Sequence, residues 1–158
     1  MHIAPHDNQN RPIVEMDHPL VPYVYFNIVR LTAGQHFDYR TPGYETCVVP
    51  ATGTVTVDCA GETFAQIGHR GVDVWDGEPE GVYVPTDTGC RITALTNTEV
   101  FIAGAKFAET LRPFAVRAGD LTGTVDSFPV LTGEVAMEVA LRLMAGQALP
   151  RVVATPQA

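Results

Sequence analysis

The chain has 158 residues, 46% of them hydrophobic and 18% charged, enough to bury one ordinary core but hardly two, so one domain with flanking arms is expected. A formal net charge of -8, with no cluster of Lys or Arg, works against a nucleic-acid partner, because phosphate affinity comes largely from such clusters. No run approaches the roughly 18 consecutive apolar residues of a membrane span, and the polar start Met1 to Asn10 lacks a basic segment followed by an apolar one, so the chain reads as cytoplasmic with no membrane partner.

Residues 1–20 carry Pro5, Pro12 and Pro19 and no periodicity. They read as an extended arm, with solvated histidines, that pairs with a sheet edge or a neighbouring molecule. From Val21 the sequence breaks into short β-rich runs: Tyr23 to Leu31, Tyr44 to Pro50, Thr54 to Cys59, Gly71 to Trp75, Gly81 to Val84, Cys90 to Ala94 and Val100 to Ala105. None has a helical period. Thr54-Val55-Thr56-Val57 alternates valine with threonine, and Val72-Asp73-Val74-Trp75-Asp76 alternates in the same way, the pattern of half-buried antiparallel sheet. Ala60-Gly61 suits a hairpin that needs positive φ, and Asp76-Gly77 before Pro79 suits a tight turn. Together these predict an all-β jelly-roll barrel over residues 21–108.

After Lys106 the character changes. Residues 109–158 form a C-terminal segment in which Gly133 to Gly146 reads equally as helix or strand. Arg30-Leu31-Thr32-Ala33-Gly34-Gln35 recurs as Arg142-Leu143-Met144-Ala145-Gly146-Gln147, which marks either a second copy of the unit or a chance match inside a terminal helix. Cys47, Cys59 and Cys90 form neither a CxxC pair nor an even set, so reduced thiols are expected, with Cys47 and Cys59 as small buried apolar residues. Trp75, Tyr83, Tyr44 and Phe101 lie in alternating runs and read as barrel core.

The block Phe64 to Pro79, with Ile67-Gly68-His69-Arg70 at its centre and Val82-Tyr83-Val84-Pro85 after it, resembles a region of the 5-deoxy-glucuronate isomerases of inositol catabolism. Glu45-Thr46-Cys47-Val48-Val49, Gly53 to Val57 and Ile92-Thr93-Ala94 are similar to strands of the same N-terminal half, and the ketol-isomerases of 4-deoxy-5-hexosulose-uronate are more distant relatives. The resemblance covers about residues 21–108 and implies a cupin, a double-stranded β-helix. It also implies aldose–ketose isomerisation of a deoxy-sugar acid through an enediol, which needs a base to move a proton and an electrophile to hold the oxyanion. In that family a divalent metal supplies the electrophile, held by three histidines and a glutamate of a second, C-terminal cupin.

The cupin present here lacks those ligands. Anchored on Gly53, the usual cupin spacing puts the glutamate position on Thr46 and the His-x-His positions among Tyr39, Arg40, Thr41 and Pro42. Glu45 misses by one residue, a slip that turns a strand side chain to the opposite face. Pro85 sets the frame that puts Cys90 in the remaining histidine slot, where it is either a zinc ligand with His36, Glu45 or His69 or an apolar thiol. No metal or other cofactor is therefore expected in this chain. His36 and His69 are candidate proton carriers, each also readable as a surface histidine. Arg70 is the candidate carboxylate fork, or else a salt-bridge partner of Asp73 or Glu62. Glu45, Tyr83 and Trp75 complete the candidate substrate contacts, with a small sugar acid as ligand and a homodimer as assembly. The competing expectation is a non-enzymatic cupin that binds a small acidic sugar or dimerises.

Overall fold

The computed structural model describes residues 7–120, and among them every regular element is a strand. The strands are β1 (Val24–Leu31), β2 (His36–Arg40), β3 (Tyr44–Thr52), β4 (Val55–Cys59), β5 (Glu62–Ile67), β6 (Gly81–Val84), β7 (Gly89–Ala94), β8 (Thr98–Lys106) and β9 (Phe114–Val116). They form two antiparallel sheets, one ordered β1-β8-β3-β6-β9 and the other β2-β7-β4-β5. Neighbours in each sheet are mostly far apart in sequence, the crossover pattern of a jelly roll. The reading of residues 133–158, and the echo of Arg30 to Gln35 at Arg142 to Gln147, lie outside the described residues.

Alternation sets the two faces. On β4 the side chains of Val55, Val57 and Cys59 are buried while Thr56 and Asp58 are not, and on β7 Cys90, Ile92 and Ala94 face the same interior. The other sheet answers with Val29, Val48, Val82, Val84, Val100 and Ile102, which join the same core cluster. Burying each of these Val and Ile side chains contributes about 1.5–3 kcal/mol. The β4–β5 hairpin turns on Ala60 (φ 51°) and Gly61 (φ 78°), the positive pair that a two-residue turn of the right twist requires.

Part of the arm lies along β1. The Ile13 and Val14 N–H groups donate to Phe26 O, the Phe26 N–H returns to Val14 O, and Asn10 exchanges side-chain hydrogen bonds with the backbone of Arg30. Further on, the Tyr44 hydroxyl accepts from the Asp17 N–H at 2.8 Å and donates to Pro22 O at 2.6 Å, pinning the arm's exit to β3. His18 is partly buried rather than fully solvated, its Nδ1 accepting from the Leu20 N–H at 3.3 Å.

Several sequence expectations are corrected, among them Tyr83 and Phe101 as core: both are half-buried on the outward parity of β6 and β8. Gly71 to Trp75 is not a strand: the Asp73 and Asp76 carboxylates accept from the Trp75 and Asp73 N–H groups at 3.0 Å each, and these local bonds curl the chain into turns. Trp75 consequently is not core but 89% exposed, with Val72 at 96%. Cys47 is exposed as well, because it falls on the outward parity of β3. Strands β2, β5 and β9 are additional to the runs read from sequence, and β9 carries the first sheet past residue 108 by pairing with β6.

Candidate functional site

The residues at the cupin ligand positions meet inside the barrel. Tyr39 on β2 stands opposite Cys90 on β7 in the β2–β7 register, and the Tyr39 hydroxyl lies 2.7 Å from Thr46 Oγ1 on β3, bridging the two sheets. Thr46 is buried, and Tyr39 is half-buried with its hydroxyl on Thr46 and its ring stacked on that of Phe37 with centroids 6.1 Å apart. Burial, reinforced by neighbouring Cys90, holds the Tyr39 phenol well above its ordinary value. Burial likewise pushes the Cys90 thiol up to about 12, although Tyr39 pulls the other way through its hydrogen bond. A phenol and an aliphatic hydroxyl are poor ligands for a divalent metal, and one thiol does not complete a site. Among the described residues no group of three or more His, Cys, Asp and Glu side chains is arranged to hold a metal ion. The donor set at these positions, a phenol, a hydroxyl and a thiol, does not fit the divalent metal that the resemblance implies for a catalytic cupin. The polar neighbour of Cys90 is Tyr39, its partner in the β2–β7 register, and not His36, Glu45 or His69.

Glu45 sits on the opposite face of β3, as its parity dictates. Its Oε2 accepts a 2.7 Å hydrogen bond from the Tyr83 hydroxyl of β6. Burial first, and then the Glu45 carboxylate that accepts its proton, push the Tyr83 phenol up to about 12. The Tyr83 ring stacks on Phe114 of β9 with centroids 5.1 Å apart. Beside this pair runs a groove of about 200 Å³ walled by Cys47, Val49, Pro79, Val82, Tyr83 and Phe114, with Glu80 at its margin. The groove is apolar, and the nearest carboxylates, Glu45 and Glu80, disfavour an anionic occupant.

The third cluster lies at the root of the 68–80 loop. Glu80 is held there by four groups: its Oε2 accepts from the Gly68 N–H at 2.7 Å, its Oε1 from the Ala118 N–H at 3.0 Å, His69 Nδ1 is 3.6 Å away, and Arg117 adds its charge. Burial alone raises the Glu80 carboxyl, but these donors outweigh it and the net shift is downward. Arg70 makes neither of its expected salt bridges. Its Nε donates to Gly77 O at 2.8 Å and closes the loop, while the Gly53 N–H donates to Arg70 O. His36 opens β2 with its side chain 57% exposed and Asp38 3.8 Å away as its charged neighbour.

Of the candidate site residues, the structure therefore brings together Glu45 with Tyr83, and His69 and Arg70 in one loop root; among the described residues no hydrogen bond or ion pair joins His36 or Trp75 to either group. Sequence reasoning passed over Glu80 and Arg117, which organise the loop. Arg117 donates to Ala65 O and Gln66 O at 2.7 and 3.0 Å, an anchor that only strand order reveals.

The chain is 32% identical over 99 residues to the 5-deoxy-glucuronate isomerase of Bacillus velezensis and 29% identical over 99 residues to that of Bacillus subtilis strain 168, covering in each case 62% of this chain and 36% of the relative. It thus spans little more than a third of the length of these curated relatives. An IolB-like protein from Salmonella typhimurium LT2 superposes with a TM-score of 0.59 at 26% identity, over 62% of this chain and 37% of that one. The KduI/IolB family matches residues 2–125, which takes in all nine strands, the plugged interior and the loop root, and on that match the chain belongs to the KduI/IolB family.

Proposed function

We propose that this barrel is the metal-free, non-catalytic cupin of a deoxy-sugar-acid ketol isomerase, and that it serves the reaction as scaffold rather than as chemical centre. The observation that carries the reading is the Tyr39–Thr46–Cys90 trio, which fills the ligand positions with neutral hydrogen-bonded groups. Ketol isomerisation needs a base within reach of the substrate proton and a fixed positive charge for the enediolate oxygen. His36 stands with Asp38 as its charged neighbour, and at the loop root His69 and Arg117 face Glu80 while Arg70 Nε is taken up by Gly77 O, so among the described residues neither histidine stands beside a cation left free for the enediolate. The isomerase names of the relatives support the reaction class, and the uncharged donors at positions 39, 46 and 90 favour a scaffold role for this barrel.

The test is isomerisation of 5-deoxy-glucuronate followed by NMR with the purified chain, alone and with Mn²⁺, Ni²⁺ or Zn²⁺. No turnover above background is expected under any of these conditions. Turnover that scales with the concentration of this chain, and is lost on replacing Cys90 or His36, overturns the scaffold reading.

A further inference from the structure

Asn27 stands in the inward row of β1 with Tyr25, Val29 and Leu31, and it is 0% exposed. A primary amide in such a place is costly unless both its ends are hydrogen-bonded, and both partners come from the arm. Its Oδ1 accepts from Asn8 Nδ2 at 2.9 Å, and its Nδ2 donates to Asn10 O at 3.1 Å. The same two arm residues cap the free edge of the strand. In the antiparallel pairing of β1 with β8, Asn27 and Val29 turn their N–H and C=O groups to β8, which leaves those of Phe26, Ile28 and Arg30 facing outward. Phe26 exchanges bonds with Ile13 and Val14, Ile28 O accepts from Asn8 Nδ2 at 2.8 Å, and the Arg30 N–H and O meet the two ends of the Asn10 amide at 2.7 and 3.1 Å. Val14 pairs with Phe26 as a strand residue would; beyond it, asparagine side chains stand in for the strand that β1 lacks. An edge so closed offers no template to another strand.

Apolar burial does little to hold this segment. None of residues 7–22 is buried, and Ile13 and Val14 are only half covered, whereas Val29 on β1 is 0% exposed. Segments with few buried apolar contacts open at lower cost than the core they lie on. The turn that aims the two asparagines works against closure too. The Arg11 N–H donates to Asn8 O at 2.9 Å across Gln9 (φ 51°) and Asn10 (φ 59°), two left-handed residues in succession with no glycine to ease them. Such a turn persists only while the bonds around it hold it, so its contacts form and break together. The far end of the arm is fixed: Tyr44 bonds Asp17 and Pro22, and Lys106 Nζ donates to Asp17 Oδ1 at 2.7 Å. We propose that residues 8–14 are a strap latched on Asn27, which swings open as one unit from this anchored end and bares the β1 edge while the barrel stays folded.

Hydrogen exchange of the whole chain, resolved by NMR at single amides across a series of low urea concentrations, reads the opening directly. The Phe26 and Arg30 amides, which face the strap, are expected to be protected, but about a hundredfold or more less than that of Val29, which faces β8, and nearly independent of urea, because a local opening exposes little surface. Asn8→Ala removes the latch to Asn27 and touches no bond of Phe26 or Arg30. It is nevertheless expected to lower the protection of both amides by a common factor of about ten or more, as a unit that opens together requires. Phe26 and Arg30 amides as protected as Val29, with its urea dependence, overturn the strap, since arm and barrel then unfold together. The rates of an unfolded peptide at both amides overturn it from the other side. So does an Asn8→Ala variant that leaves either amide unchanged, because the contacts then break one at a time.

Discussion

Replacing Tyr39 by Phe tests whether the hydrogen-bonded trio is what fills the barrel. The substitution removes the 2.7 Å contact to Thr46 Oγ1 and leaves that hydroxyl buried without its partner. Loss of a net hydrogen bond costs about 0.5–1.5 kcal/mol and stranding a buried polar atom about 1–3 kcal/mol, so Tyr39→Phe is expected to lose about 2–3 kcal/mol. Thr46→Val removes the other partner at a similar cost. The double variant removes both polar groups and keeps the shape, so it loses no more than either single variant, about 2–3 kcal/mol where the plain sum is about 4–6, a coupling of about 2–3 kcal/mol. Urea unfolding reads this directly: with a slope of about 1–3 kcal/mol per molar, each single variant shifts the midpoint by about 1–2 M. Single variants within about 0.5 kcal/mol of the parent, or a double variant whose loss is the plain sum of the two, refute the trio as a linked unit. The same titration repeated with excess Zn²⁺ or Mn²⁺ is expected to give an unchanged midpoint, because binding at one hundred times Kd would add about 2.7 kcal/mol.

Other expectations follow from the same contacts. With a thiol reagent at pH 8, one cysteine, Cys47, is expected to react in the folded protein, and Cys59 and Cys90 only on unfolding; three fast thiols contradict the burial described. The Cys90 thiol rises to about 12 when folded, so its neutral form stabilises the fold fully below an unfolded value near 9, and that contribution is lost as pH climbs from about 9 towards 12. Denaturation at pH 7.5, 9 and 10 is expected to show falling stability, with a shallower slope in Cys90→Ala; an unchanged slope removes Cys90 as the cause. Glu80 has the opposite sign: its lowered carboxyl stabilises the fold above an unfolded value near 4.5 and ceases to do so as pH falls through the folded value. Glu80→Gln is expected to destabilise the fold at pH 7, with the gap to the parent narrowing as pH falls below the ordinary carboxylate value. Gly68→Ala is expected to lose about 1–3 kcal/mol by thermal unfolding, since φ is +88° and a Cβ would lie 2.6 Å from Gly53 O.

Strict alternation made β4 readable, because Val55 and Val57 share one face whatever surrounds them. It misled at Val72 to Trp75, where the same period arises from two aspartates capping local N–H groups, a competition between side chain and sheet that hydrophobicity does not encode. β2 escaped notice because His36, Asp38 and Arg40 make its outer face wholly polar and the Asp38–Arg91 pair that fixes it comes from a strand 53 residues away. The one-residue displacement of Glu45 from the ligand slot was legible as parity, and the Glu45–Tyr83 bond on the outer face shows where that parity leads. The Glu80 cluster was not legible, since Ala118 and Arg117 reach it through the β6–β9 pairing and Gly68 from the end of β5.

The parity of β3 also explains why filling and metal binding exclude each other at this place in the barrel. A carboxylate at position 46 would lie buried against Tyr39 and Cys90, and an unpaired buried carboxylate is costly unless a cation or several donors answer it. Supplying the cation recreates a metal site, which then demands deprotonated or imidazole ligands at positions 39 and 90 as well. Threonine at 46, tyrosine at 39 and cysteine at 90 resolve the same space with groups that remain neutral and satisfy one another. Moving from one solution to the other takes coordinated change on three strands, and a single ligand restored to the present barrel, such as Cys90→His, leaves Tyr39 and Thr46 bonded to each other and gains no metal.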